Sequence, residues 1–230
     1  MFLTFWIICR ITSDPLTQFA CVLSALIHDV DHTGVPNTQL IKENKSMARY
    51  YKERSVAEQN SVDVAWELLM DSAFENLRAT IYQTEEEMRR FRQLVVNSVM
   101  ATDIMDKELK QLRNARWEKA FSEAAHSEST VATVHRKATI VIEHLIQASD
   151  VAHTMQHWHI YRKWNQKLFE EMYRAYKSGR ADKNPVDFWY KVGRRHGATE
   201  WAIGVYWVPL TGLFFIVCLQ GEIGFFDFYM

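Results

Sequence analysis

Two histidines and two aspartates fall within five positions at His28-Asp29-Val30-Asp31-His32, and the run continues as Thr33-Gly34-Val35-Pro36-Asn37. Neutral imidazole nitrogen and carboxylate oxygen are the donors that a hard or borderline divalent cation takes. A metal site is therefore the first chemistry this stretch offers. The competing reading makes His28 a hydrogen-bonded core histidine and the aspartates caps on a helix end. Asp is seldom buried without a partner, and these residues follow a strongly apolar segment, which favours ligands. A third acid, Asp150, stands among Val141, Leu145, Ala148 and Val151. An ionised carboxylate in such surroundings needs a compensating charge, and a metal supplies one.

The elements that must position these groups read as helices. Leu16, Phe19, Ala20, Leu23, Ile27 and Val30 recur at intervals of three and four, and Asp14 before Pro15 marks a start. On that helix His28 and His32 lie one turn apart on one face, with Asp29 about 100° round from His28. His28 and Asp29 then approach a metal from two sides, and Gly34 and Pro36 end the helix. Residues 38–71 read as two or three short amphipathic helices, in which Ser55-Val56-Ala57-Glu58 has the form of a capping box. Residues 62–125 read as continuous helix. Within it Glu85-Glu86-Glu87 and Arg89-Arg90 form a solvated face with ion pairs three and four apart, while Leu94, Val95, Ser98, Val99 and Thr102 run down one side. Another helix runs from Arg136 through Val151. His157 and His159 read as surface or packing residues on a helix continuing through Tyr161 and Trp164, an aromatic pair expected in the core.

Only 8 glycines and 4 prolines interrupt the chain, and no alternating Val/Ile/Thr run argues for a sheet, so the fold class is all-α. With 230 residues, 48% of them apolar, one well-cored domain over residues 11–230 is expected after a ragged apolar start at 1–10. That start lacks a basic lead-in and is too short to cross a bilayer. A net charge of −1 gives no electrostatic case for nucleic acid as a partner. Cys9, Cys21 and Cys218 have no metal-like spacing and are too few for a disulfide scaffold, so a reducing, cytoplasmic setting is expected.

The stretch His28-Asp29-Val30-Asp31-His32-x-Gly34-x-x-Asn37 resembles the core motif of the class I 3′,5′-cyclic nucleotide phosphodiesterases, all-helical metal hydrolases of the HD superfamily. Further stretches agree in order. The segment from Glu53 to Asn60 is similar to that family's Glu-Ser-Val-x-Glu-Asn, and Ala101-Thr102-Asp103-Ile104 to its Ala-Thr-Asp-Met. The segment Ala148 to His153 resembles Ala-Asp-Leu-Ser-Asn, Tyr161 to Trp164 resembles Tyr-Arg-x-Trp, and Gly221 to Phe228 resembles Gln-x-Gly-Phe-x-Asp-Phe. The likeness implies a compact multi-helix bundle that hydrolyses cAMP and/or cGMP to the 5′-monophosphate, in signal transduction, with a hydroxide activated by two metal ions. It implies that His28, Asp29 and Asp150 hold the tighter ion, zinc, and that Asp29 bridges to magnesium or manganese. It further implies that His32, Glu58 and Thr102 position water, and that Glu222 and Phe225 meet the purine edge and clamp its ring. His153 stands in place of an asparagine at the base.

Three departures accompany the likeness. Asn60-Ser61 stand where the family continues with two histidines. Glu222 replaces a glutamine, and a carboxylate accepts hydrogen bonds but donates none unless protonated. The family's upstream His-Asn-x-x-His, which supplies the general acid and a further ligand, is not in these 230 residues. The chain therefore reads as truncated at its start and, stopping at Met230 short of the family's last helix, at its end as well, with receptor or cyclase domains expected upstream in the full-length protein. A catalytically inactive fragment that keeps weak metal or nucleotide binding is the alternative reading.

Residues 192–220 interrupt the match. Val192 takes a codon beginning GT and Gln220 is encoded by CAG among others, so the segment reads as a translated intron whose removal joins Lys191 to Gly221. A membrane-spanning helix over the uncharged stretch 201–221 and a true loop insertion are the other readings.

Overall fold

The computed structural model describes residues 14–121, 131–150, 152 and 156–186, and among them regular structure is helical, without a strand. The elements are α1 (Pro15–Ile27), α2 (Asn37–Glu43), α3 (Lys45–Tyr50), α4 (Val56–Met70), a 3-10 turn (Ser72–Phe74), α5 (Glu75–Ile81), α6 (Glu85–Met100), α7 (Lys107–Phe121), α8 (Val131–Asp150) and α9 (Trp158–Lys177). The all-α class expected from composition is the observed one. The described residues fall into two compact units, one of 14–33 with 44–150 and one of 34–43 with 152–186.

In the first unit α1 starts as its sequence dictates. Asp14 caps it by accepting the Thr17 N–H at 3.2 Å, and Pro15 follows where no N–H is needed. The Arg90 guanidinium of α6 pairs with the same carboxylate and reaches the Thr17 hydroxyl at 3.2 Å. Burial raises the Asp14 pKa, but the bonds from Thr17 and Arg90 outweigh it and hold the carboxyl below its usual range. Beyond this tie, α1 packs along α6, which also meets α4 and α8. Ala20, Ile27, Val62, Phe91, Val95 and Val99 form the buried core there. Phe91 is fully buried, with the rings of Phe19, Trp66 and Tyr82 at 5.9, 6.2 and 6.0 Å.

Charged residues on α6 do work that surface pairing does not describe. Thr84 and Glu87 close a capping box: the Glu87 N–H donates to the Thr84 hydroxyl at 3.2 Å, and the Thr84 N–H to the Glu87 carboxylate at 3.3 Å. Ser55 and Glu58 do not form the box expected at α4. Ser55 sits in the left-handed region with φ 38°, and its buried hydroxyl makes no cap bond. Nor is 62–125 one continuous helix, because aspartate side chains take up backbone N–H groups at the breaks. Asp71 accepts Ala73 N–H at 2.8 Å, Asp103 accepts those of Met105 and Asp106 at 3.0 and 3.1 Å, and Asp106 accepts those of Glu108 and Leu109 at 2.9 and 3.0 Å.

Helix α8, which carries Asp150, is tied to α7 by a buried charge. Both Glu143 oxygens lie 3.0 Å from Arg116 Nη1, although Glu143 is 3% exposed. Burial pushes the Glu143 carboxyl up against the pull of Arg116. On another side of α8, Ile142 and Leu145 pack on Cys21 of α1.

In the second unit the Pro36 carbonyl accepts from Gln39 and Leu40 N–H at 2.9 and 3.0 Å and so begins α2. Glu43 at the end of α2 is clamped by Arg180 through bonds of 2.8 and 2.6 Å, which bring its carboxyl down to about 2. Tyr161 is buried as expected, but Trp164 is 52% exposed with the Lys167 ammonium 5.8 Å from its ring, so the aromatic pair is not wholly core. His157 and His159 lie on the surface, their rings stacked at 5.8 Å. The apolar start at 1–10, the interruption at 192–220 and the stretch 201–221 lie outside the described residues. Among the described residues no helix is long and apolar enough to cross a membrane.

Candidate metal centre

The helix that feeds the acidic motif stops earlier than its periodicity suggests. Helix α1 ends at Ile27, and His28 caps it in right-handed conformation with its N–H on Ser24 O at 3.0 Å. A turn follows, with Val30 N–H on Ile27 O at 3.0 Å and His32 N–H on Asp29 O at 3.1 Å. Asp31 then takes φ 61°, which no regular helix accommodates. His28 and His32 therefore do not share a helical face, and Gly34 and Pro36 are not what ends the helix. The carboxylate of Asp31 instead accepts the Asn60 side-chain amide at 3.0 Å, and Ser61 donates to Val30 O at 2.7 Å. These two bonds from α4 fix the turn.

Asp150 is the last residue of α8, and the packing of α8 on α1 brings it to this turn. His28 Nε2 lies 3.2 Å from Asp29 Oδ2 and 3.3 Å from Asp150 Oδ1. One donor atom from each of the three lies within 4.8 Å of the others. Metal–ligand bonds of about 2.0–2.2 Å separate neighbouring donors by roughly 3–3.6 Å in octahedral or tetrahedral geometry, and the two separations from His28 Nε2, 3.2 and 3.3 Å, fall in that range. The imidazole is oriented for an ion as well. His28 Nδ1 lies 3.1 Å from Ala25 O, and a proton donated there leaves the Nε2 lone pair for a metal.

The electrostatics agree with a cation-seeking site. Hydrogen bonding to Asp150 and then to Asp29 pushes the His28 pKa up to about 10, and the bond from His28 draws the Asp29 carboxyl down. Without a metal the imidazolium proton thus sits between the two carboxylates, where positive charge is favoured. Asp150 is not buried among its apolar neighbours, as its sequence context suggested, since 41% of its side chain is exposed and that of Asp29 is 67% exposed. The helix ends at Asp150, so its side chain leaves the apolar face and pairs with His28.

The other residues singled out by motif are placed differently. His32 is exposed on the turn and contributes to lowering the Asp29 pKa. Glu58 is half-buried in the first turn of α4 and stands outside the converging group of three. The Thr102 hydroxyl donates to Val99 O at 2.7 Å. His153, Glu222 and Phe225 lie outside the described residues. Asn60 and Ser61, which depart from the family pattern, bond the motif turn at Asp31 and Val30. The signal for them was Asp31 itself, since Asp and Asn are several-fold enriched at positive φ and such a position asks for a partner.

The family model described as 3′5′-cyclic nucleotide phosphodiesterase matches residues 4–204. The chain belongs to this family. A probable 3′,5′-cyclic-AMP phosphodiesterase, pde-4, of Caenorhabditis elegans is 30% identical over 159 residues, covering 69% of the chain and 23% of that protein. The human dual specificity calcium/calmodulin-dependent 3′,5′-cyclic nucleotide phosphodiesterase 1C is 27% identical over 213 residues, covering 93% of the chain and 25% of that protein. The chain thus spans about a quarter of the length of these curated phosphodiesterases. In fold it is similar to the crystal structure of the phosphodiesterase domain of the RhoPDE fusion protein from the choanoflagellate Salpingoeca rosetta. The TM-score is 0.59 at 18% identity, over 98% of the chain and 64% of that domain.

Proposed function

We propose that this polypeptide, over residues 11–230 with the interruption at 192–220, acts in the cytoplasm as a metal-dependent hydrolase of the 3′,5′-cyclic phosphodiester of cAMP or cGMP. The observation that carries the reading is the convergence of His28 Nε2, Asp29 Oδ2 and Asp150 Oδ1 from two segments of a phosphodiesterase-family chain. By the family resemblance these three residues would hold one ion, zinc, and Asp29 would also serve a second, magnesium or manganese. Divalent ions bound there supply charge for the phosphoryl oxygens and lower the pKa of water.

The chain's own groups have distinct roles in this reading. A proton donated from His28 Nδ1 to Ala25 O would leave Nε2 available to an ion once its own proton is displaced. His32, Glu58 and Thr102 orient water around the ions. Phe225 stacks on the purine, Glu222 accepts its N–H groups, and His153 meets the base edge.

The test is hydrolysis of cAMP and cGMP, with Mg²⁺ and trace Zn²⁺, by the chain as written and by a form lacking 192–220. Turnover that is lost on chelation and in His28→Ala supports the reading. Metal binding without turnover of either nucleotide in either form supports a second reading, a chain that binds metal or nucleotide without catalysis.

A further inference from the structure

We infer that Asn60 is a positioning residue of the metal centre, because its amide fixes Asp31 in the left-handed conformation that aims Asp29 at Asp150. The inference rests on the metal reading above. Asp29 is 67% exposed, so packing does not set the direction of its carboxylate. The backbone on either side of it must do so. On the N-terminal side that backbone is fixed by the end of α1, through His28 N–H on Ser24 O at 3.0 Å. On the C-terminal side it is fixed from α4, by Ser61 to Val30 O at 2.7 Å and by Asn60 to Asp31 Oδ2 at 3.0 Å. Ser61 is fully buried and its hydroxyl also reaches Ala57 O at 3.0 Å, so the anchor on α4 is itself rigid.

The bond from Asn60 also sorts the two aspartates of the motif. Asp29 and Asp31 are two residues apart and chemically identical as ligands. Engaging one Asp31 oxygen leaves Asp29 as the motif carboxylate within 4.8 Å of both His28 and Asp150. An amide suits this role because it donates to a carboxylate without bringing a charge of its own.

The test is a swap measured by Zn²⁺ affinity, with the full chain in competition against a chromogenic chelator. Asn60→Asp faces one carboxylate with another and should weaken Zn²⁺ binding about 10-fold or more, the range for lost partners of metal ligands. The sign is diagnostic, since an added negative charge near a cation acting only through its field tightens binding. Asp31→Asn combined with Asn60→Asp restores a donor and an acceptor with unchanged net charge and should recover most of the loss. Thr84→Ala removes a distant helix cap, and should lower the Tm with Zn²⁺ affinity unchanged. Should Asn60→Asp not fold, Asn60→Ala reads the same quantity. Wild-type affinity in Asn60→Asp or Asn60→Ala overturns the inference, as does a double variant no better than Asn60→Asp. Absence of Zn²⁺ binding by the wild-type chain overturns the metal reading itself.

Discussion

His28 Nε2 and Asp150 Oδ1, 122 positions apart in the chain, meet at 3.3 Å. Each is the boundary residue of a helix, His28 just past the end of α1 and Asp150 at the end of α8, so a small slip of either helix separates them. The separation of the donors is thus set by the packing of α1 on α8, through Cys21 against Ile142 and Leu145.

Removing one donor should therefore abolish tight binding and leave the fold. In Asp150→Ala, Zn²⁺ affinity should fall by more than the roughly 10–100-fold seen for lost outer partners of a ligand. Chelation should lower the Tm of the wild-type chain, since a ligand that binds only the folded state stabilises it. The same chelator should leave the Tm of His28→Ala unchanged. A chelator effect of wild-type size in that variant would place the metal elsewhere.

Acid should loosen α1 at its start. The Asp14 carboxyl lies below its usual value of 3.8, so its contribution is fully present above that pH and is lost as pH falls through the folded value. Asp14→Ala should cost about 1–2 kcal/mol at pH 7, mostly the cap, because Arg90 is 43% exposed and solvent screens its charge. Urea denaturation at pH 7 and at pH 3 should show the two proteins converging at the lower pH. An undiminished difference at pH 3 would assign the cost to packing.

What the sequence disclosed and what it hid divide along one physical line. Asp14 and Pro15 start α1 by local chemistry, and the spacing of Ala20 and Ile27 gives the buried face directly. The three donors that converge are those named from the motif and its resemblance. The turn from His28 to Asp31 is hidden, because periodicity carries the helix through Val30, whereas Asp31 takes positive φ and bonds a residue 29 positions away, Asn60. Ser55 fails as a cap because its backbone lies at φ 38°, outside the extended conformation that an N-cap takes, and the tetrapeptide pattern carries no sign of that. Thr84 and Glu87 had the pattern of a capping box in plain view, masked by the adjacent acidic run.

The centre of the first unit should be its most sensitive point. Phe91 is fully buried against three aromatic rings, so Phe91→Ala should cost about 3–5 kcal/mol through lost transfer energy and the cavity left behind. Phe91→Leu keeps much of the volume and should cost less than half of that. Equilibrium urea denaturation gives both values, and equal costs would mean that ring contacts, not volume, dominate the site.

In the second unit Gly34 offers a contest between two effects. Its φ is 73°, and a Cβ there would overlap Glu171 Oε1 and stand 3.2 Å from the Glu171 Cδ. The overlap is with the far end of an exposed side chain, which swings away at little cost. Backbone strain has no such release, and an L-residue in the left-handed region costs roughly 1–2 kcal/mol. Gly34→Ala should therefore lose about that amount by urea denaturation. Gly34→Ala combined with Glu171→Ala should recover only a small part, and Gly34→Asn, which tolerates this conformation better, should lose less than alanine although its side chain is larger. Full recovery in the double variant would mean that the Glu171 contact, and not the conformation, is why glycine stands at this position.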